Sequence, residues 1–140
     1  MHRHIIKKIS EVDKNELVDF YKLVFKDRYK ILSKNLEWWY RLKKTKSEPI
    51  ILTLNKKIIG QLGTIPTKVT NNDQIITGVW YVDYAVLPEF QGKGGGSLLV
   101  DEGTKNSEVQ IAFCNEDALK VYKKFNWKIN KSMQRFVRPI

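Results

Sequence analysis

The sequence predicts an α/β fold of the α+β kind, a mixed and mostly antiparallel β-sheet flanked by helices. Three observations predict it. The periodic segments run in the order β-α-α-β-β-β-α-β-α-β. The three central strands are joined by hairpin-length turns, which makes them antiparallel. The strand after the glycine-rich turn is reached through a helix, which sets it parallel to its predecessor.

Residues 4–9 read as the first strand. In the next segment Leu17, Phe20, Tyr21, Val24 and Phe25 fall at i, i+3, i+4, i+7 and i+8, one apolar helical face. Asp13 suits the N-cap, with Glu16 three residues on as a capping box. A shorter helix over 36–42 carries Trp38, Trp39 and Tyr40. Pro49 opens a strand through Leu54, and Asn55-Lys56 turns the chain into a second strand over 57–65, which Pro66 interrupts. Asn71-Asn72-Asp73 is the next turn, followed by a long strand over 75–86 closed by Pro88. The glycine turn then opens a helix with Leu98, Leu99 and Val100. Residues 109–114 read as a buried strand that includes Cys114. A helix over 115–125 places Ala118, Val121, Tyr122 and Phe125 on one face, and a last strand falls at 133–137.

A length of 140 residues suits one domain, 1–140, and 42% hydrophobic residues suffice for a core without disulfides or metal. Cys114 is the sole cysteine, so neither a disulfide framework nor a Cys-based zinc site is expected, and no metal. No run approaches the roughly 18 apolar residues of a membrane span, and the N-terminus lacks a secretory pattern. The expectation is a cytoplasmic protein with no membrane partner. The formal net charge of +10 favours polyanionic partners, among them nucleic acid, a phosphate-rich coenzyme or a nucleotide-linked substrate. The lysines are scattered, as at Lys7-Lys8, Lys43-Lys44 and Lys123-Lys124, and no nucleic-acid-binding motif appears. A solvated basic surface accounts for them equally well.

The sharpest local signal is Gln91-Gly92-Lys93-Gly94-Gly95-Gly96, between strand and helix. Unpaired N–H groups and the helix dipole at such a start attract phosphate, and glycines let it approach the backbone. Lys93 adds a cation. The nucleotide-binding P-loop pattern is absent, and Ser97 stands where the dinucleotide pattern needs its last glycine.

With Val86-Leu87-Pro88 before it, this loop resembles the signature of the GNAT superfamily of N-acyltransferases, in which Gln91, Gly94 and Gly96 match the key positions. A second family signature is matched by Asn115, Ala118, Tyr122 and Lys124, with Asn126 and Trp127 in place of its glycine and phenylalanine. Asparagine is the next best residue at a left-handed helix end, and tryptophan keeps an aromatic there. The stretch from Val82 to Pro88, with Arg138-Pro139-Ile140, is also similar to GNAT domains of bacterial sugar- and polysaccharide-modifying proteins.

The resemblance implies acetyl-CoA as cosubstrate, held where the strands 75–86 and 109–114 splay apart. The pyrophosphate would rest on the loop from Gly92 through Lys93, Gly94, Gly95 and Gly96 to Ser97. Main-chain groups of Tyr84, Ala85 and Val86 would pair with the pantetheine arm, and Asn115 would meet it from the other side. The reaction implied is direct attack of a primary amine on the thioester, with the Val86 N–H for the oxyanion. Tyr122 matches the family's acid position, although its spacing also suits core packing. Asp83, a carboxylate within the aromatic strand, is the candidate base or else a positioning carboxylate. Trp38, Trp39 and Tyr40 are candidates to line the acceptor pocket or to pack the core. The acceptor is left open among amino sugars, amino acids, polyamines and protein amines, and a homodimer is left open too. Only 13 residues follow Trp127, so the family's usual C-terminal strand pair is expected to be incomplete. The alternative reading is an inactive GNAT-fold domain that binds CoA or serves as an interaction module.

Overall fold

The structure, a computed structural model, describes residues 3–44 and 47–132. The strand expected at 133–137 lies outside the described residues. Five strands form one sheet in the order β1-β2-β3-β4-β5: β1 (His4–Lys8), β2 (Ile50–Leu54), β3 (Lys57–Asn71), β4 (Gln74–Val86) and β5 (Val109–Ala112). The first four are antiparallel neighbours, and β4 pairs parallel with β5. The helices are α1 (Lys14–Phe25), α2 (Tyr29–Lys34), α3 (Leu36–Trp39), α4 (Gly95–Thr104) and α5 (Glu116–Lys124).

The hairpin turns are set by backbone chemistry. Asn55, Lys56, Asn72 and Asp73 all have positive φ, and asparagine and aspartate tolerate that region best among residues with a Cβ. Asp13 caps α1, accepting from the N–H groups of Asn15 and Glu16 at 2.8 and 3.1 Å.

β3 runs straight through Pro66, where an interruption was expected. Pairing of β3 with β2 ends at Leu62, so among the described residues Pro66 has β4 as its only strand neighbour, and an edge tolerates the missing N–H. The helix expected over 36–42 is instead the shorter α3 followed by a 3₁₀ turn at Leu42–Lys44, and α2 precedes it where no helix was expected. Arg41, with φ of 54°, breaks the run after α3. α2 buries only Leu32 and so carries no apolar stripe to read. β5 is half-buried rather than buried, and Cys114 lies beyond its end and is exposed. With β4 as its one partner among the described residues, β5 is an edge strand.

Side-chain alternation along β3 sends its two faces to different helices. Gln61 meets Tyr21 of α1, while Gly60 lies beneath Leu99 of α4. The core is thus shared by two helical layers, α1–α3 on one face and α4–α5 on the other. Among the described residues no helix is long and apolar enough to cross a membrane.

Candidate active site

β4 and β5 pair only from Gly78↔Val109 to Tyr81↔Ala112, although β4 continues to Val86. Beyond Tyr81 the two strands part. On its other side β4 stays bonded to β3, where the Leu87 N–H donates to the Ile59 carbonyl at 2.8 Å. Antiparallel ladders alternate bonded and non-bonded pairs, so the adjacent pair Gly60↔Val86 is a non-bonded one. The N–H and C=O of Val86 therefore turn away from β3, toward the open side. The Val86 carbonyl accepts from Gln91 Nε2 at 2.9 Å, which fastens the glycine loop to the strand end. Among the described residues the Val86 N–H meets no strand there.

The loop leads from a 3₁₀ turn at Pro88–Phe90 into α4. Gly92 and Gly94 have φ of 72° and 85°, left-handed values that a side chain resists. Open space surrounds the place where a Cβ would sit at both. At Gly96 any side chain would collide with the Tyr84 hydroxyl, so strand and helix start approach closely.

A cleft of about 590 Å³ occupies the parted strands. Tyr84, Ala85, Val86, Gln91, Gly92, Gly94, Gly96, Ser97 and Asn115 all line it, as the sequence suggested they should gather. Two residues of the expected set do not. Gly95 is buried beneath Leu52, and Lys93 folds back to donate to the Glu89 carbonyl at 2.8 Å, its ammonium over the Phe90 ring. The cations on the cleft are Lys26, Lys120 and Lys124 instead. Sequence reasoning missed them, although Lys120 and Lys124 are one helical turn apart on α5. Asn115 caps α5, its Oδ1 accepting from the Ala118 N–H at 2.9 Å.

Asp83 sits at an irregularity. Gln61 pairs with Ala85 but Gly63 with Val82, so β4 carries one extra residue, a β-bulge, and Asp83 has φ of 48°. The bulge resets the alternation. Tyr81 and Tyr84 share the α4–α5 face, both about 6 Å from Tyr122, at 6.2 and 6.0 Å between ring centres. Asp83 turns to the α1–α3 face. Its carboxylate, 4% exposed, accepts from Arg28 Nη2 at 2.9 Å on Oδ1, and from Trp39 Nε1 at 2.7 Å and the Tyr40 hydroxyl at 3.0 Å on Oδ2. Gln61 continues the chain of bonds: its Nε2 donates to the Tyr40 hydroxyl and the Asp83 carbonyl, and its Oε1 accepts from Tyr21. Burial raises the Tyr21 and Tyr40 phenols well above the ordinary range, so they remain donors.

Tyr122 is 2% exposed. It is not itself among the residues that line the cleft, whereas Ala118 and Val121 of the same helix are, and it stacks on Trp127 at 4.4 Å. Burial raises its phenol well above the tyrosine range, with Tyr84 and Cys114 adding to the effect. Burial likewise pushes Tyr84 up to about 12. The end of α5 fixes this packing. Asn126 has φ of 58°, its N–H donates to Lys123 and that of Trp127 to Tyr122, a Schellman motif. Among the described residues no group of three or more His, Cys, Asp and Glu side chains is placed to hold a metal ion.

Similarities to known proteins agree with this geometry. The family model described as an acetyltransferase (GNAT) domain matches residues 5–130. A search of curated proteins returned no match. An aminoglycoside N-acetyltransferase in complex with CoA superposes with a TM-score of 0.76 at 11% identity, covering 100% of this chain and 97% of that one. A transcriptional regulator from Bacillus halodurans C-125 gives 0.70 at 17% identity, with 99% and 100% covered. Glucosamine-6-phosphate N-acetyltransferase from Arabidopsis thaliana gives 0.68 at 16% identity, with 97% and 98% covered. At such identities the structures speak for the fold, whereas the family match spans most of the chain. The chain belongs to the GNAT acetyltransferase domain family.

Proposed function

We propose that this chain transfers an acetyl group from acetyl-CoA to a primary amine by direct attack on the thioester. The observation that carries the reading is the parting of β4 from β5 beyond Tyr81↔Ala112, beside a loop whose left-handed glycines face open space. The residues present fit the coenzyme. Backbone N–H groups from Gly92 to Ser97, at the start of α4, would hold its pyrophosphate. Lys26 and Lys124 would supply the positive potential, Lys120 being matched by Asp117 on the same cleft at 3.3 Å. Tyr84, Ala85 and Val86 would meet the pantetheine arm as an added strand, with Asn115 opposite. When bound, the coenzyme supplies an activated acyl carbonyl.

The chain's own residues would then do three things. The Val86 N–H, with no strand partner on that side among the described residues, would donate to the carbonyl oxygen as negative charge builds there. Tyr122 would donate a hydrogen bond to the departing sulfur, since its raised phenol stays protonated across the range in which a thiol near pKa 8.5 ionises. Asp83 would position rather than abstract, and the proton lost by the amine would pass through solvent to the departing thiolate, which leaves as the thiol. Three donors already occupy its oxygens, leaving it to hold the bulge and the indole and phenol of α3 and its following turn. The names of two structural neighbours favour a small amine acceptor.

The test is a titration of the purified chain with acetyl-CoA, paired with thiol release on a panel of amino sugars, amino acids and polyamines. Saturable binding and amine-dependent thiol release are expected. Binding with no amine raising thiol release above the hydrolytic background would overturn the reaction.

A further inference from the structure

A second cavity, of about 610 Å³, opens on the α1–α3 face of the sheet. Trp38, Trp39, Arg41, Lys43 and Lys44 line it, with Ile65 of β3 as its floor. Ile65 follows Gln61 and Gly63 on the same face of β3, so the cavity shares that face with Asp83. One side chain joins the two. The Trp39 indole lines the cavity while its N–H donates to Asp83 Oδ2. The residue after Asp83, Tyr84, lines the cleft of the parted strands. Asp83, bonded to a wall residue of the cavity and followed in the chain by a wall residue of the cleft, thus stands between the two.

Its chemistry is unlike that of the cleft. The Trp38 side chain is exposed, at 76%, and tilted 40° from Trp39 at 6.1 Å, an apolar wall open to solvent. An isolated exposed indole gains nothing from water. It gains from the C–H face of a sugar ring or another flat group. Facing it, Lys43 is matched by Glu37 at 2.8 Å. Arg41 and Lys44 form no ion pair among the described residues. The left-handed Arg41, φ 54°, bends the chain so that the Lys44 N–H donates to the Arg41 carbonyl at 2.9 Å, which brings both cations to one rim. The balance on the cavity is two positive charges beyond the Lys43–Glu37 pair.

We propose that this cavity is the acceptor subsite and that it selects a phosphate-bearing amino sugar. The ring would lie on the indoles and the phosphate on Arg41 and Lys44, with the amine turned toward the Trp39 side of the cavity, the side nearer the cleft. This rests on the acetyl-transfer reading above, and it goes further by naming the acceptor class and the groups that choose it. Arginine and lysine hold phosphate through charge-assisted hydrogen bonds, whereas a neutral or cationic amine would gain nothing from them.

The experiment uses glucosamine 6-phosphate and glucosamine as matched probes, with binding read by quenching of tryptophan fluorescence and turnover by thiol release from acetyl-CoA. The phosphorylated sugar should bind at least about tenfold more tightly, the gain of one good charge-assisted contact. The double variant Arg41→Asn/Lys44→Gln should erase that preference and leave affinity for acetyl-CoA unchanged. Asparagine tolerates the left-handed backbone at position 41, and both side chains lie at the surface, so the variant should fold. Trp38→Ala should weaken both sugars alike. Equal binding of the two probes to the unaltered protein, or a preference that survives the double variant, overturns the subsite. Turnover of both sugars with equal kcat/KM overturns the subsite and leaves acetyl transfer standing. A phosphate preference in binding without turnover on any amine keeps the subsite and rejects the reaction.

Discussion

β4 is two strands in one. From Gly78 to Tyr81 it is paired on both sides, and Val79 and Tyr81 are buried side chains of the core. Beyond the bulge, at Ala85 and Val86, it is paired among the described residues on one side only, and its main chain faces a cleft. The first half is held by what its side chains bury. The second half must be held open, because an unpaired strand edge gains nothing from staying apart. Three features keep it so. Gln91 ties the glycine loop to the Val86 carbonyl, the bulge turns Asp83 to the other face, and Arg28, Trp39 and Tyr40 clasp that carboxylate. Sheet stability and ligand access are therefore assigned to different halves of a single element.

The largest effect that would break this comparison belongs to the glycine loop. Gly94→Val puts a β-branched side chain at φ of 85° and fills the open space proposed for phosphate. Acetyl-CoA affinity should fall at least about 100-fold by calorimetric titration, roughly 2.7 kcal/mol. A folded Gly94→Val protein with undiminished affinity would take the coenzyme away from the loop. Next in size is Asp83→Ala, which strips the Trp39 N–H and the Tyr40 hydroxyl of their acceptor and places alanine at positive φ. Urea unfolding should show a loss of about 2 kcal/mol, the cost of buried donors left unpaired. Asp83→Asn keeps one acceptor and a left-handed tolerance, and should lose less. If the two variants are equally stable, the clasp does not hold the bulge.

Tyr122→Phe sharpens the comparison at the boundary of the halves. It keeps the stack on Trp127 and removes the proposed hydrogen bond to sulfur. The value of kcat should drop by about tenfold or more, with the acetyl-CoA dissociation constant within twofold. The same phenol makes a pH prediction together with Tyr81 and Tyr84, since burial raises all three. In the unfolded chain they ionise near pH 10, and in the fold only above it. Their contribution to stability is complete below about pH 10 and is lost as pH climbs beyond it, because the unfolded state then releases protons first. Tyrosinate absorbance should rise together with unfolding in an alkaline titration. These three phenols ionising near pH 10 in a protein that is still folded would mean that they are not sealed between β4 and α5.

What could be read in the sequence divides along similar lines. Features written in local backbone chemistry were legible: the capped start of α1, the hairpin turns at Asn55 and Asn72, the glycine loop, and the paired signatures at Gln91 and Asn115. Features made by distant side chains meeting were not. Nothing in the local pattern says that Arg28, Trp39 and Tyr40 converge on Asp83, because that depends on a one-residue slip in β4. An aspartate amid aromatic residues is the only trace of the slip, and it reads equally well as a base. The cleft lysines were hidden for the same reason. Lys26, Lys120 and Lys124 are ordinary surface cations until α1 and α5 bring them to the parted strands, whereas the conspicuous Lys93 points elsewhere.

The smallest effect tests the packing at the end of α5. Asn126 ends α5 at φ of 58°, and the Trp127 that follows lies on Tyr122 with rings 19° from parallel. Asparagine accepts this backbone at some cost, and glycine at none. Asn126→Gly also loosens the unfolded chain, which offsets part of the gain. The net should be a stabilisation of about 0.5 kcal/mol, read as a small rise in the urea midpoint with an unchanged slope. The kinetic result is the sharper one. If the Schellman turn alone sets the position of Tyr122, then relieving its strain leaves the geometry intact and kcat unchanged. A fall in kcat despite higher stability would mean that the asparagine side chain, and not only its backbone, holds Trp127 against the phenol.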